Sequence, residues 1–183
     1  MALIERILLV ENDPDISDLV ARQALMPLGY QVDIVADAGS AIKKALQSPP
    51  DLVIANLNLP GLSGKDLIVA LSSQGAHTPF IIIAEKGQEQ DVIQAFRLGA
   101  TDVLFWPGRD AEVVSVVERV LAQVRETRAR RRLDEQLKIA NEELQNKVRE
   151  LTYIVAIGKA VVSITDRRVL FERVVEGALQ VAG

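Results

Sequence analysis

The stretch Asp51-Leu-Val-Ile-Ala-Asn-Leu-Asn-Leu-Pro-Gly61 decides the fold of this chain. It is a short aliphatic run that ends at the polar residue Asn56 and is followed by a Pro-Gly turn. A continuous apolar run is typical of a parallel strand that is buried on both faces. In an α/β sheet, ligands and chemistry gather at the carboxyl ends of such strands. The stretch therefore predicts a central strand that presents Asn56 at the functional edge of a sheet.

Residues 1 to about 108 alternate between aliphatic runs of this kind and stretches with the period of an amphipathic helix. The predicted strands are Ile7–Val10, Val32–Val35, Leu52–Ala55, Phe80–Ala84 and Val103–Phe105. The helical stretches lie near residues 15–26, 38–47, 64–73 and 89–98, and a fifth helix follows Pro107-Gly108. Strands that alternate with helices imply βαβ units. This order predicts an α/β, doubly wound, flavodoxin-like fold with five parallel strands in the order 2-1-3-4-5.

A long helix is predicted after the fifth strand. From Asp110 to about Gly158 the chain has no proline, and Gly158 is the only glycine. Apolar residues recur there at steps of 4, 3, 4, 4, 3 and 4, at Leu133, Leu137, Ala140, Leu144, Val148, Leu151 and Val155. This spacing is typical of a coiled-coil seam with one stutter, and it favours a parallel homodimer because an isolated helix would expose the stripe. The alternative is a helix that folds back on its own domain.

These patterns divide the chain into a domain at 1–123, a coiled-coil helix at 124–157 that continues the fifth helix, and a segment at 158–183. Residues 151–183 predict one helix, a cap at Thr165-Asp166 and a second helix that ends at Gly183. This pattern resembles the opening helices of a GAF domain. The resemblance implies that the chain is a piece of a longer protein.

Composition narrows the classes of function. Apolar residues make up 49% and aromatic residues only 4% of the chain, so the core is expected to be aliphatic. The absence of cysteine excludes disulfides and thiolate metal sites, and the glycines form no nucleotide-binding pattern, so we expect no cofactor. The net charge of −4 gives no broad case for nucleic acid, and the basic block 125–132 is expected to be a solvated helix face. His77, the only histidine, lies in a loop and is expected to be solvated.

The amino terminus lacks the pattern of a signal peptide. No stretch approaches the roughly 20 apolar residues that a bilayer-spanning helix needs. We therefore expect a cytoplasmic protein without a membrane partner.

Residues 4–123 resemble the receiver domain of bacterial response regulators, and the ends of the strands carry the resemblance. In that family two acidic residues after the first strand hold Mg²⁺, and an aspartate at the end of the third strand accepts a phosphoryl group. A Ser or Thr ends the fourth strand, and a Lys precedes a proline after the fifth. The positions here are Glu11, Asn12, Asn56, Ala84 and Trp106.

The resemblance implies that this site has lost its nucleophile, a metal-binding carboxylate, a hydroxyl and a cation. An amide oxygen is a poor nucleophile and carries no charge, so Mg²⁺ affinity should collapse and no metal is expected. A single engineered Asp-to-Asn change explains Asn56 alone. The departures at Asn12, Ala84 and Trp106 as well favour a native pseudo-receiver.

We therefore expect a non-enzymatic signalling module of the two-component, phosphorelay type. It is expected to dock a sensor kinase or another signalling protein near Val103, Phe105 and Trp106, and to relay the event through the coiled coil. Two alternatives stay open. In the first, Asp13 or Glu11 accepts a phosphoryl group in place of Asn56. In the second, a small molecule binds in the pocket beside Trp106, which has lost its charged groups.

Overall fold

The computed structural model describes residues 4–75 and 78–181. Its strands are β1 (Arg6–Val10), β2 (Gln31–Val35), β3 (Leu52–Asn56), β4 (Phe80–Glu85) and β5 (Asp102–Trp106). All neighbours in the sheet pair in parallel, in the order β2-β1-β3-β4-β5. The α/β fold and the strand order predicted from the sequence are confirmed.

The helices are α1 (Pro14–Ser17), α2 (Ala38–Gln47), α3 (Gly64–Ser73), α4 (Glu89–Leu98) and α5 (Asp110–Val181). Helix α1 is shorter than the predicted helix at 15–26, because the chain continues as a π-helical segment (Asp18–Leu25) and a 3₁₀ turn (Met26–Leu28). Asp13 caps α1 by accepting the backbone N–H groups of Asp15 and Ile16.

Alternate strand residues contribute to two apolar layers, one on each face of the sheet. The layer beneath α2, α3 and α4 includes Val53, Ala55 and Ala84. The layer beneath α1, the π-helical segment and α5 includes Ile54 and Val117. Strands β1, β3 and β4 are covered on both sides, which explains why their sequences are continuously aliphatic.

The chain divides into a compact unit, Met1–Arg128, and a second unit, Ala129–Gly183. The compact unit ends a few residues beyond the boundary predicted at 123. In the second unit α5 continues as an uninterrupted helix to Val181. The seven predicted seam residues are exposed in the single chain, at Leu133, Leu137, Ala140, Leu144, Val148, Leu151 and Val155.

The predicted helix break at Thr165-Asp166 is wrong, because α5 runs through both residues. Neither residue prevents a helix, and no proline follows Pro107 to interrupt it. Gly183, where a helix was predicted to end, and His77 lie outside the described residues. Within residues 4–75 and 78–181, the helices include none that is long and apolar enough to cross a membrane.

Candidate functional site

The five predicted site positions lie at the carboxyl edge of the sheet. Glu11 and Asn12 directly follow β1, and Asn56 is the last residue of β3. Ala84 lies near the end of β4 and Trp106 ends β5. The parallel register brings these strand ends together, because each strand pairs with its neighbour up to its last residues.

Glu11 is the buried acidic group of this edge, with 2% of its surface exposed. Its Oε1 accepts the backbone N–H groups of Asn12 and Asp13, each at 2.9 Å. Its Oε2 accepts the side-chain amide of Asn56, with Nδ2 at 2.8 Å. Three donors from the chain itself therefore satisfy a carboxylate that would otherwise be costly to bury.

Asn56 is buried as well, with 8% of its surface exposed, and both ends of its amide are used. While Nδ2 donates to Glu11, Oδ1 accepts the backbone N–H of Asn58 at 2.9 Å. A carboxylate accepts only and a backbone N–H donates only, so this orientation of the amide follows from the partners. The side chain thus ties the end of β1 to the loop that follows β3.

The residues present do not fit the Mg²⁺ site of the receiver family. A hard divalent cation needs several oxygen ligands, usually carboxylates. The oxygens of Glu11 are directed at N–H donors, and the group that faces Glu11 from β3 is the NH₂ of Asn56, which cannot bind a cation. In the part of the chain that the structure describes, no cluster of three or more acidic, histidine or cysteine side chains is placed to hold a metal.

Ala84 and Trp106 lie on opposite faces of the sheet. Ala84 is buried in the layer beneath α2, α3 and α4, whereas Trp106 packs on the layer beneath α5. Trp106 also lines a cleft with Val20, Ile83 and other residues of that layer. The cavity volume of this cleft is about 10 Å³, which is roughly the space of one water molecule. The cleft therefore does not support the alternative of a metabolite bound beside Trp106.

The three predicted docking residues do not share one face. Val103 is part-buried against the layer beneath α4, while Trp106 contacts the layer beneath α5. Phe105 is 42% exposed on the edge strand β5. Side chains alternate between the faces of a strand, so Phe105 lies on the same face of β5 as Val103 and Trp106 lies on the other, although Phe105 and Trp106 both line the small cleft beside Trp106.

Gly64, at the start of α3, is part of this site and was missed from the sequence. A Cβ added there would lie 2.4 Å from the carbonyl oxygen of Asn56, which is fixed backbone. The adjacent capping box, in which Ser63 and Asp66 bond reciprocally, begins α3 at this point. The Ser63 hydroxyl bonds the Asp66 carboxylate and lowers the pKa of Asp66. The capping box was the available signal, but it does not reveal how close the backbones lie.

Comparisons with known proteins agree with this architecture. Residues 7–118 match the family model described as the response regulator receiver domain. The chain is similar to the two-component response regulator PhoP of Pseudomonas aeruginosa, with 36% identity over 93 residues that cover 51% of this chain and 41% of PhoP. It is also similar to the DNA-binding dual master transcriptional regulator RpaA of Synechocystis sp., with 36% identity over 124 residues that cover 67% of this chain and 50% of RpaA.

Among solved structures, NtrX from Brucella abortus superposes with a TM-score of 0.67 and 29% identity, covering 72% of this chain and 30% of NtrX. The chain spans about half the length of the curated relatives it matches. The similarity is therefore to the receiver part of those proteins.

Proposed function

This chain belongs to the response regulator receiver domain family of two-component signalling, and we propose that it is a receiver that works without phosphorylation. In this proposal the domain is not an enzyme and does not transfer phosphoryl groups. It acts as a protein-interaction module. The part of α5 beyond the compact unit relays the interaction to a downstream domain.

One observation carries the proposal, the hydrogen bond between Asn56 Nδ2 and Glu11 Oε2 at 2.8 Å. In a phosphorylated receiver a carboxylate at this point attacks phosphorus while a cation neutralises the charge. Here the Asn56 amide lies where the attacking carboxylate would be, and it has no nucleophilic oxygen. Its NH₂ group also satisfies Glu11, which in an active receiver would bind the cation. The polar groups of Glu11 and Asn56 therefore have hydrogen-bond partners within the chain and need no phosphate as an additional partner.

The relay part of the proposal depends on the exposed seam of the second unit. Large apolar side chains such as Leu137, Leu144 and Leu151 are more than half exposed in a single chain. A second copy of the same helix, in parallel, would cover them in a two-stranded coiled coil. The stutter around Leu144 would let the helices rotate locally. The upstream partner is a sensor kinase or another signalling protein.

We propose no nucleic-acid partner for the described residues. Within the basic block 125–132, Arg125 and Arg128 are engaged by carboxylates of their own chain, Glu5 and Asp51. Those contacts reduce the positive charge that the block offers to a phosphate backbone.

Acetyl phosphate tests the proposal directly. The chain is incubated with acetyl phosphate and Mg²⁺, and its intact mass is measured beside an active receiver domain treated in the same way. We expect a mass gain of one phosphoryl group on the active receiver and no gain on this chain. A stoichiometric gain that maps to Asp13 or Glu11 would overturn the proposal in favour of phosphorylation at a non-standard acidic residue.

A further inference from the structure

Helix α5 loses its apolar support before it leaves the compact unit. Val117, Val120 and Leu121 are fully buried beneath the sheet, but residues 125–159 of the helix are exposed. Polar contacts continue past that point to Arg128, the last residue of the compact unit. The last turns of α5 in this unit are therefore held by charged and hydrogen-bonding groups.

Arg125 makes the most extensive of these contacts. Its guanidinium binds the Glu5 carboxylate at two points, with Nε to Oε1 at 2.8 Å and Nη2 to Oε2 at 2.5 Å. Nη1 also reaches Glu118, one heptad earlier on α5, at 3.3 Å. The Tyr30 hydroxyl donates to the same Glu118 carboxylate. Burial and this hydrogen bond raise the pKa of Tyr30 to about 12, so the hydroxyl remains a donor at neutral pH.

Arg128 adds a contact one turn later. Its Nη2 lies 2.6 Å from Asp51 Oδ1, and the other oxygen of Asp51 accepts the backbone N–H of Arg6 at 2.8 Å. The carboxylate is therefore fixed on β1 when Arg128 binds it. The two-point contact between Arg125 and Glu5 is more directional than the single ion pair between Arg128 and Asp51.

The partners on the sheet share one position in the fold. Tyr30, Glu5 and Asp51 directly precede β2, β1 and β3, which are neighbours in the sheet. On α5 their partners are spaced by seven and three residues, which places them on one face of a helix. The acidic partners are largely covered, with only 14% of the Glu5 side chain and 17% of the Asp51 side chain exposed. Ion pairs with such shielded carboxylates are less screened by salt than exposed pairs.

We propose that these six side chains, here named the helix clamp, are positioning residues that set the rotation with which α5 leaves the compact unit: Glu5, Tyr30, Asp51, Glu118, Arg125 and Arg128. The clamp connects the starts of three strands to the helix just before the seam begins at Leu133. In this proposal, a displacement of the starts of β1, β2 and β3 rotates α5 about its axis where the helix leaves the compact unit. This role rests on the proposed relay through the helix.

Hydrogen exchange on the full chain tests whether the clamp holds the helix. The double variant R125A/R128A removes both arginine contacts, and R131A/R132A is the matched control that removes two arginines from the same basic block. In R125A/R128A we expect the amides of residues 122–128 to exchange roughly fivefold to tenfold faster, while β1 and β3 exchange as in the parent. The control should match the parent. Unchanged exchange at 122–128 in R125A/R128A would overturn the clamp.

Spin-label distances test the positioning role separately, because local fraying of α5 could change hydrogen exchange without any such role. The chain has no cysteine, so single labels can be placed at Ser72→Cys on α3 or at Glu142→Cys on α5. We expect R125A/R128A to broaden the distances between Ser72 labels of two copies and to leave those between Glu142 labels unchanged. Ser72 distances as narrow as in R131A/R132A would overturn the clamp alone. The absence of any interchain distance at Glu142 would overturn the homodimeric relay on which its role rests.

Discussion

At the scale of single residues, the exchange of one carboxylate for an amide changes what the edge of the sheet can do. Asn56 donates where an aspartate could only accept, and the acceptor that it satisfies is the buried Glu11. Two carboxylates at that distance repel each other unless a cation or a proton lies between them. The amide therefore gives the site a stable arrangement at neutral pH without either.

We expect N56D to destabilise the compact unit by about 2–3 kcal/mol at neutral pH, because it buries a second negative charge against Glu11 and removes a donor. Trp106, the only tryptophan, lies in this unit, so its fluorescence during denaturant unfolding measures the loss. The matched control is N58D at an exposed position, which should change the free energy of unfolding by less than about 0.5 kcal/mol.

The same variant has a defined pH dependence. Repulsion raises the pKa of the introduced carboxyl in the folded state, so the folded state favours its protonated form. The destabilisation should therefore be smallest below about pH 3.9, the ordinary aspartate value, and grow as the pH rises above it. Equal stability of N56D and N58D at neutral pH would show that the contact between Glu11 and Asn56 contributes little.

At the scale of elements, the start of α3 depends on a close approach to the end of β3. Gly64 donates its backbone N–H to the carbonyl of Leu57 at 3.1 Å, and its Cα lies directly beside the carbonyl of Asn56. The helix can begin there only because position 64 has no side chain. By contrast, nothing lies within 4 Å of a Cβ at Gly158 in the long helix.

These two glycines should respond to alanine with opposite signs. G64A should lower the free energy of unfolding of the compact unit by about 2 kcal/mol, because fixed backbone must move to admit the methyl group. G158A should raise the stability of the helix by up to about 1 kcal/mol, because alanine is the better helix former. Denaturant unfolding by Trp106 fluorescence reports the first change, and thermal loss of helical circular dichroism reports the second. A neutral G64A would contradict the close approach.

At the scale of the whole molecule, the two units differ in how much apolar surface a single chain leaves exposed. The compact unit covers its sheet with its own helices and has two apolar layers. The second unit is one helix whose apolar seam is exposed in a single chain. A helix with an exposed stripe gains stability from association, so we expect the second unit to set the oligomeric state.

We expect the parent chain to be a dimer in sedimentation and light scattering, and L144D to weaken that dimer by at least about 100-fold, because each copy buries a charge in place of a leucine. The matched control is Q145D, which introduces the same charge next to the seam and should leave the dimer constant within about threefold. A parent chain that is monomeric at high concentration would contradict the coiled coil.

The sequence by itself determined the five strands and the bounds of α2, α3 and α4, because aliphatic runs and helical period are local properties of the chain. The strand order came from matching the alternation of strands and helices to a known doubly wound fold. The resemblance to receiver domains located the site positions residue by residue, and the family match confirms the receiver fold.

Only the tertiary structure decided which side chains touch. Glu11 and Asn56 are 45 positions apart in the chain, and Glu5 and Arg125 are 120 apart, so no local pattern encodes their contacts. The basic block 125–132 is exposed, as predicted, but no local pattern shows that Arg125 and Arg128 bind Glu5 and Asp51, because these carboxylates lie at the starts of distant strands. The close approach at Gly64 was hidden for the same reason, since steric room and hydrogen-bond partners exist only once the strands and helices are packed.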